Sequence, residues 1–284
     1  MICNMMELNH EQVLSILPDR AVDAHKGDFG KILLLCGSKG YTGAAYLAAQ
    51  ASLRSGAGLV FLGVPESIYQ IEAVKLNEAI VFPLPEQDGK LCEESIPEIL
   101  DRLPKMDAVL IGPGLSQSEG VFAVVKAVLE HADCPVVVDA DGINVLSSHK
   151  DILRDRTNPT VLTPHAGEFA RLGGSVAEGR QTAAEKMAQE LGCIVLLKGK
   201  GTVVTDGTTT YINPTGNPGM AVGGSGDVLS GILTSLLGQG IEPLEATACG
   251  AYLHGAAGDL CAKELGQYGM LPTDMLNVLP RLLK

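Results

Sequence analysis

The residues best placed to do chemistry stand in one stretch, Gly223-Gly224-Ser225-Gly226-Asp227, which runs into the apolar helical pattern of residues 228–237. Glycines ahead of a helix free the backbone to aim several N–H groups at one point. The helix dipole adds positive potential there, so the site suits a phosphoryl group. Gly224, Ser225 and Gly226 are the candidate anion hole. Asp227 falls in the first turn, where a carboxylate is held ionised and is a weak base. That fits phosphoryl transfer, whose loose transition state asks mostly for positioning and charge stabilisation. Asp227 is expected to orient a hydroxyl and take its proton late. An aspartate here can also merely cap a helix. A cap needs one residue, however, and the glycine-rich stretch begins at Asn213-Pro214-Thr215-Gly216-Asn217.

The elements that must position this loop are legible as alternation. Apolar runs at 31–36, 58–63, 79–82, 108–111, 135–139, 161–163 and 193–198 read as strands. Several are continuous, as strands buried on both faces of a parallel sheet must be. Helical patterns at 44–55, 67–75, 95–103, 121–131 and 179–191 separate them, the signature of an α/β fold with helices on both faces. Residues 202–205 and 209–213, joined through Asp206-Gly207, read as a hairpin. Helices follow at 227–237, 243–265 and 273–282. No repeat, low-complexity linker or clear boundary interrupts the chain, and one domain over 1–284 is the simplest reading, with residues 1–24 a leader helix or arm.

In such sheets ligands bind beyond the carboxyl ends of the strands. There the sequence places Gly37-Ser38-Lys39-Gly40, Gly112-Pro113-Gly114, Asp139-Ala140-Asp141-Gly142, Thr163-Pro164-His165-Ala166-Gly167-Glu168 and Lys198-Gly199-Lys200-Gly201-Thr202. The standard phosphate loop G-x-x-x-x-G-K-[ST], the dinucleotide G-x-G-x-x-G after a strand, and H-E-x-x-H are all missing. Each candidate also has a plainer reading. Lys198 could be a solvated strand end, His165 a helix start, and Asp139 and Asp141 turn or cap residues instead of Mg²⁺ ligands. His254, in an apolar helical run, reads as packing. His25 and Lys26 precede the first strand and carry no evident mechanism.

Composition narrows the partners. Lys plus Arg number 21 against 33 Asp plus Glu, giving a net charge of −12, and aromatics are 4%. An acidic chain without basic runs or stacking aromatics is a poor match for nucleic acid. No stretch is long and apolar enough to span a membrane, and residues 1–10 lack signal-peptide order. Seven scattered cysteines without a C-x-x-C pair read as buried thiols of a reducing compartment, so a cytoplasmic location is expected.

From Asn213-Pro214-Thr215-Gly216-Asn217 through Asp227-Val228-Leu229-Ser230-Gly231 the chain resembles the anion-hole motif of the ribokinase-like superfamily. Many vitamin kinases of that superfamily carry Thr-Pro-Asn-x-x-Glu where this chain has Thr163-Pro164-His165-Ala166-Gly167-Glu168. The histidine variant is similar to the ADP- or ATP-dependent NAD(P)H-hydrate dehydratases. Asp139-Ala140-Asp141-Gly142-Ile143-Asn144, Lys198 to Thr202, Gly112-Pro113-Gly114 and Gly43-Ala44-Ala45 with Arg54 to Leu59 match in order and spacing, from about His25 to the C-terminus.

The resemblance implies a ribokinase-like fold and a repair lyase. Its substrate is NADH or NADPH hydrated at ring carbon 6; the S epimer's hydroxyl is phosphorylated from ADP or ATP, and phosphate then leaves. It implies Asp227 as base on the ring hydroxyl, and a substrate pocket of His165, Ala44 and Gly114. Lys198, Gly199, Lys200, Gly201, Thr202 and Gly226 would hold the nucleotide. Glu168 would place Mg²⁺ through water, with Asp139 or Asn144 as lesser candidates. Some members carry a second, epimerising domain. Roughly two dozen residues precede the first motif here, too few for one, so a separate epimerase is expected, and a homo-oligomer, a tetramer by resemblance. A small-molecule kinase of the same fold and a nucleotide sensor without turnover are the competing readings.

Overall fold

The structure, a computed structural model, describes residues 4–284. The strands are β1 (Asn4–Met6), β2 (Lys31–Leu35), β3 (Leu59–Pro65), β4 (Ile80–Leu84), β5 (Glu86–Gln87), β6 (Lys90–Leu91), β7 (Ala108–Ile111), β8 (Val136–Val138), β9 (Thr160–Leu162), β10 (Ile194–Leu197), β11 (Val203–Thr205) and β12 (Thr209–Ile212). The helices are α1 (His10–Ile16), α2 (Thr42–Arg54), α3 (Glu66–Lys75), α4 (Ile96–Arg102), α5 (Glu119–His131), α6 (Asp141–Leu146), α7 (Asp151–Arg154), α8 (Ala166–Arg171), α9 (Arg180–Leu191), α10 (Ser225–Gly238), α11 (Pro243–Leu265) and α12 (Pro272–Val278).

Ten strands form one sheet in the order β1-β12-β11-β10-β9-β8-β7-β2-β3-β4, while β5 and β6 make a separate small hairpin. Within the ten-stranded sheet, only the β10/β11 and β11/β12 pairings among the described residues are antiparallel. The central strands are buried on both faces, which is why they lack polar alternation. Ile32, Leu34, Leu110, Val137 and Leu196 face one layer, packed with α2 and α10 residues such as Ala48, Ile232 and Leu236. Leu33, Leu35, Val109, Ile111 and Val195 face the other, against Val124, Val128 and Met187 of α5 and α9. Helices α2 and α10 approach very closely: a Cβ on Gly231 would stand 2.3 Å from the Ala48 carbonyl oxygen, and Ser52 Oγ donates to the Gly231 carbonyl at 3.0 Å.

The sequence-read strands and long helices recur with ends moved by a residue or two. The hairpin forms as β11 and β12, with Asp206 Oδ1 accepting the Thr208 and Thr209 N–H groups at 2.7 and 2.8 Å. The last expected helix is shorter, its final turn being a 3₁₀ segment from Leu279 to Leu282. The arm expected over residues 1–24 contains α1 and, unforeseen, β1, which pairs in parallel with β12. The six described cysteines are free and buried; Cys3 lies outside the described residues. No helix among the described residues is long and apolar enough to cross a membrane.

Candidate active site

Strand order reverses at β2. The chain builds outward through β3 and β4, then returns to β7 on the other side and proceeds through β8, β9 and β10. Beyond the carboxyl ends of β2 and β7 the fold opens its natural crevice. The two flanking loops are tied together: Gly37 N–H donates to the Pro113 carbonyl at 2.8 Å, and Ser38 Oγ donates to the Gly114 carbonyl at 2.7 Å. Gly114 has φ +64°, and a Cβ there would press within 2.8 Å of Ala44 Cβ. Ala44 and Gly114, both expected at the substrate, therefore line one wall, with half-exposed Tyr41 at its rim.

Next along the edge, Asp139 leaves β8 and is 1% exposed. A buried carboxylate must be paired, and this one is held on three sides. Thr163 Oγ1 donates to Oδ1 at 2.6 Å, Lys198 Nζ to Oδ1 at 2.8 Å, and Ser230 Oγ to Oδ2 at 2.6 Å. Burial alone would raise this carboxyl, but the Lys198 charge and the two hydroxyls outweigh it and hold it below the usual range. Asp139 is thus a hub joining β8, β9, β10 and α10. The peptide beyond it is strained, Ala140 having φ +49° and ψ −115°, a region L-residues seldom enter.

Lys198 is not a solvated strand end. Its side chain is mostly buried, paired with Asp139, and 3.8 Å from Glu168 Oε2. Burial works against its charge, yet Asp139, Glu168 and Asp227 together hold it protonated. Its Nζ lies 3.6 Å from where a Gly226 Cβ would be, which puts the ammonium beside the first turn of α10. After it, Gly199 to Thr202 form a tight turn in which Thr202 Oγ1 donates to the Gly199 carbonyl at 2.9 Å. Arg180 clamps the turn from α9, donating to the Leu197 and Lys198 carbonyls at 2.8 and 3.0 Å.

The N-cap of α10 is Gly224, in the left-handed region, so Asp227 is not the cap. Its carboxylate accepts no hydrogen bond among the described residues. Nor do the N–H groups of Gly224, Gly226 and Asp227 find an acceptor. The Ser225 N–H differs: it points back to the Val222 carbonyl at 3.3 Å. This corrects the expectation that Gly224, Ser225 and Gly226 all aim N–H groups outward; the free donors are Gly224, Gly226 and Asp227. The expected basicity of Asp227 is corrected too. Burial, joined by the negative charge of Asp139 and only partly offset by Lys198, raises its carboxyl to about 6. Desolvation and a like charge overcome the helix terminus.

His165 does start a helix. As N-cap of α8, its Nδ1 accepts the Gly167 and Glu168 N–H groups at 2.9 and 3.2 Å, which places the ring hydrogen on Nε2. Glu168 closes the capping box by accepting the His165 N–H at 2.8 Å. Half the His165 side chain remains exposed, at the mouth of the site. Glu168 Oε1, 3.3 Å from His165 Nε2, is the less engaged oxygen of that carboxylate.

No three His, Cys, Asp or Glu side chains converge as a metal cage among the described residues. Asn144 is turned to Asp141 and Arg171, and Asp141 accepts the Ser116 N–H at 2.8 Å, so both serve the turn. The donor set suits a hard cation that keeps its waters and leans on a ligand's phosphates, with one carboxylate oxygen in reach.

Two roles escaped the sequence. Thr163 is an Asp139 donor, visible beforehand only as part of a motif. His254, read as packing, points its Nε2 at the Ser225 carbonyl at 2.9 Å. The first half of the glycine-rich stretch is also tied to α11: Asn213 Nδ2 donates to the Ala251 carbonyl at 3.1 Å, and Asp259 accepts Gly216 N–H and Asn217 Nδ2, each at 2.9 Å.

Comparison with known proteins places this geometry. The family model described as NAD(P)H-hydrate dehydratase matches residues 32–281. The bifunctional NAD(P)H-hydrate repair enzyme Nnr of Moorella thermoacetica is 47% identical over 277 residues, 95% of this chain and 52% of that protein. The chain thus spans about half the length of the longer relatives it matches. The ADP-dependent (S)-NAD(P)H-hydrate dehydratase of Bacillus subtilis is 36% identical and is covered over 96% of both chains. A crystal structure of the ADP/ATP-dependent dehydratase from B. subtilis, co-crystallized with ATP and Mg²⁺, superposes with a TM-score of 0.82 at 34% identity, covering 96% of each chain.

Proposed function

The chain belongs to the NAD(P)H-hydrate dehydratase family, with a ribokinase-like fold, and from that premise we propose that it repairs the S epimer of hydrated NADH and NADPH. It acts as a carbon–oxygen lyase: the ring hydroxyl is phosphorylated from ADP or ATP, and phosphate is then eliminated. The observation that carries the proposal is the unpaired Asp227 carboxylate, set among three free N–H groups with the Lys198 ammonium beside Gly226.

The ring sits in the crevice against the wall formed by Ala44 and Gly114, with His165 at its mouth. Asp227 orients the hydroxyl and takes its proton as the oxygen bonds to phosphorus and the bond to the rest of the nucleotide breaks. A carboxyl at about 6 is ionised at neutral pH and still more basic than an ordinary aspartate, so proton transfer is easier than a helix-start carboxylate suggests. The free N–H groups of Gly224, Gly226 and Asp227 and the Lys198 ammonium hold the phosphoryl oxygens. Lys200, Gly201 and Thr202 hold the nucleotide on the turn that Arg180 braces. Elimination then breaks the bond from ring carbon 6 to the phosphate oxygen and a C–H bond on the neighbouring carbon, releasing phosphate and a proton to solvent and returning the ring double bond; phosphate is a far better leaving group than hydroxide. Mg²⁺ would be held by nucleotide phosphates and water, with Glu168 Oε1 as the outer protein ligand; when bound it neutralises phosphate charge.

The buried thiols support a reducing, cytoplasmic setting. Exposed Ile71 and Val74 on α3 and Ile80 on edge strand β4 support association into a homo-oligomer such as a tetramer.

The test is direct. Purified protein with Mg²⁺, hydrated NADH and either ADP or ATP should restore absorbance at the reduced-nicotinamide band, and the productive nucleotide names the donor. Accumulation of a stable phosphorylated product would favour a kinase of the same fold. Nucleotide binding without recovery or product would leave a sensor.

A further inference from the structure

The mechanism leaves one polar side chain beneath the anion hole without a task. His254 lies on α11, and its half-buried ring reaches toward the start of α10. Nε2 lies 2.9 Å from the Ser225 carbonyl oxygen and 3.3 Å from Ser225 Oγ. A carbonyl can only accept, so the ring carries its hydrogen on Nε2 and donates it there. Ser225 Oγ therefore cannot donate to that nitrogen, and its own hydrogen is free for a ligand. The other side of the residue is fixed as well, since the Ser225 N–H donates to the Val222 carbonyl. Ser225 is thus pinned at both ends, and the next two N–H groups along the chain are those of Gly226 and Asp227.

We propose that His254 is a positioning residue: by holding the Ser225 carbonyl it fixes the direction of the Gly226 and Asp227 N–H groups, and so sets the grip on the nucleotide's terminal phosphate. The inference rests on the nucleotide-binding part of the reading above. Burial, opposed by the bond to Ser225 and aided by the Lys198 charge, lowers the imidazole to about 4. The ring stays neutral at working pH, so its single donor hydrogen is constant and adds no charge beside Lys198. A lysine here could not meet both demands.

The experiment compares ADP with AMP by calorimetry, because the pair differ by the terminal phosphate. His254→Gln keeps an N–H donor near the Nε2 position; His254→Leu removes it at similar bulk. In His254→Leu the ratio of ADP to AMP affinity should fall about tenfold, the scale of one well-made hydrogen bond to an aligned site. AMP affinity itself should hold, and His254→Gln should restore the ratio. Thermal melts establish that each variant is folded. A folded His254→Leu with the wild-type ratio would overturn the proposal, and so would equal loss in both variants, which would make the ring mere filling. Wild-type protein that binds neither nucleotide would instead end the nucleotide reading, and the inference with it.

Discussion

The stretch joining β12 to α10 has two halves of opposite character. From Asn213 to Asn217 its polar groups are spent: Asn213, Thr215, Gly216 and Asn217 all bond to α11 or to one another. From Gly224 to Asp227 the chain offers a carboxylate with no donor and three N–H groups with no acceptor among the described residues. The same contrast separates the two aspartates of the site. Asp139 accepts from three donors and is held ionised; Asp227 accepts from none and is raised to about 6. Unpaired polar groups destabilise a fold, so one half secures the loop and the other is kept free for a ligand.

Substitutions that disturb each half should part company. Asp227→Asn removes the proposed base while keeping shape, and kcat/KM for hydrate repair should fall on the order of 10²–10⁴-fold. Asp139→Asn strands a buried ammonium, and the loss should be about 3–5 kcal/mol, read from the urea midpoint. It also takes away the charge that raises Asp227, so the acid limb of activity in any folded fraction should move to lower pH.

The stability of Asp227→Asn should move the other way. Its carboxyl is higher folded than unfolded, so the native state holds the extra proton between about pH 4 and 6. Stability falls as pH rises through that window, and the cost is complete above it. At pH 7 the asparagine should therefore gain about 1–3 kcal/mol, with the gain vanishing below pH 4. Asp259→Ala, in the tied half, should cost about 1 kcal/mol, since the carboxylate is exposed. At Ala140 an effect of the same size and opposite sign is expected: glycine there relieves a strained φ and should stabilise by about 1 kcal/mol.

The sequence made most of the sheet legible, because strands buried on both faces must be continuous apolar runs. It could not reveal β1: Asn4-Met5-Met6 has no alternation, and its strand form comes from pairing with Thr209 to Tyr211. Helices α6 and α8 stayed hidden because they begin inside the site loops, one after a strained alanine and one capped by histidine. The residues the sequence puts forward do gather at one edge of the sheet, since glycines and polar residues collect after strands. Their electrostatics were not. What raises Asp227 is burial joined by the charge of Asp139, both supplied only by the fold, and what holds Ser225 is a histidine on the following helix that looks like packing in an apolar run.

The most direct measurement is an NMR titration of the aspartate side-chain carboxyls in the free protein, compared with Asp227→Asn. A resonance with a midpoint near 6 that disappears in the variant is the predicted result. An Asp227 carboxyl that titrates at or below the usual aspartate value would contradict the account, because the group would then be paired or solvated and no longer the base held in reserve.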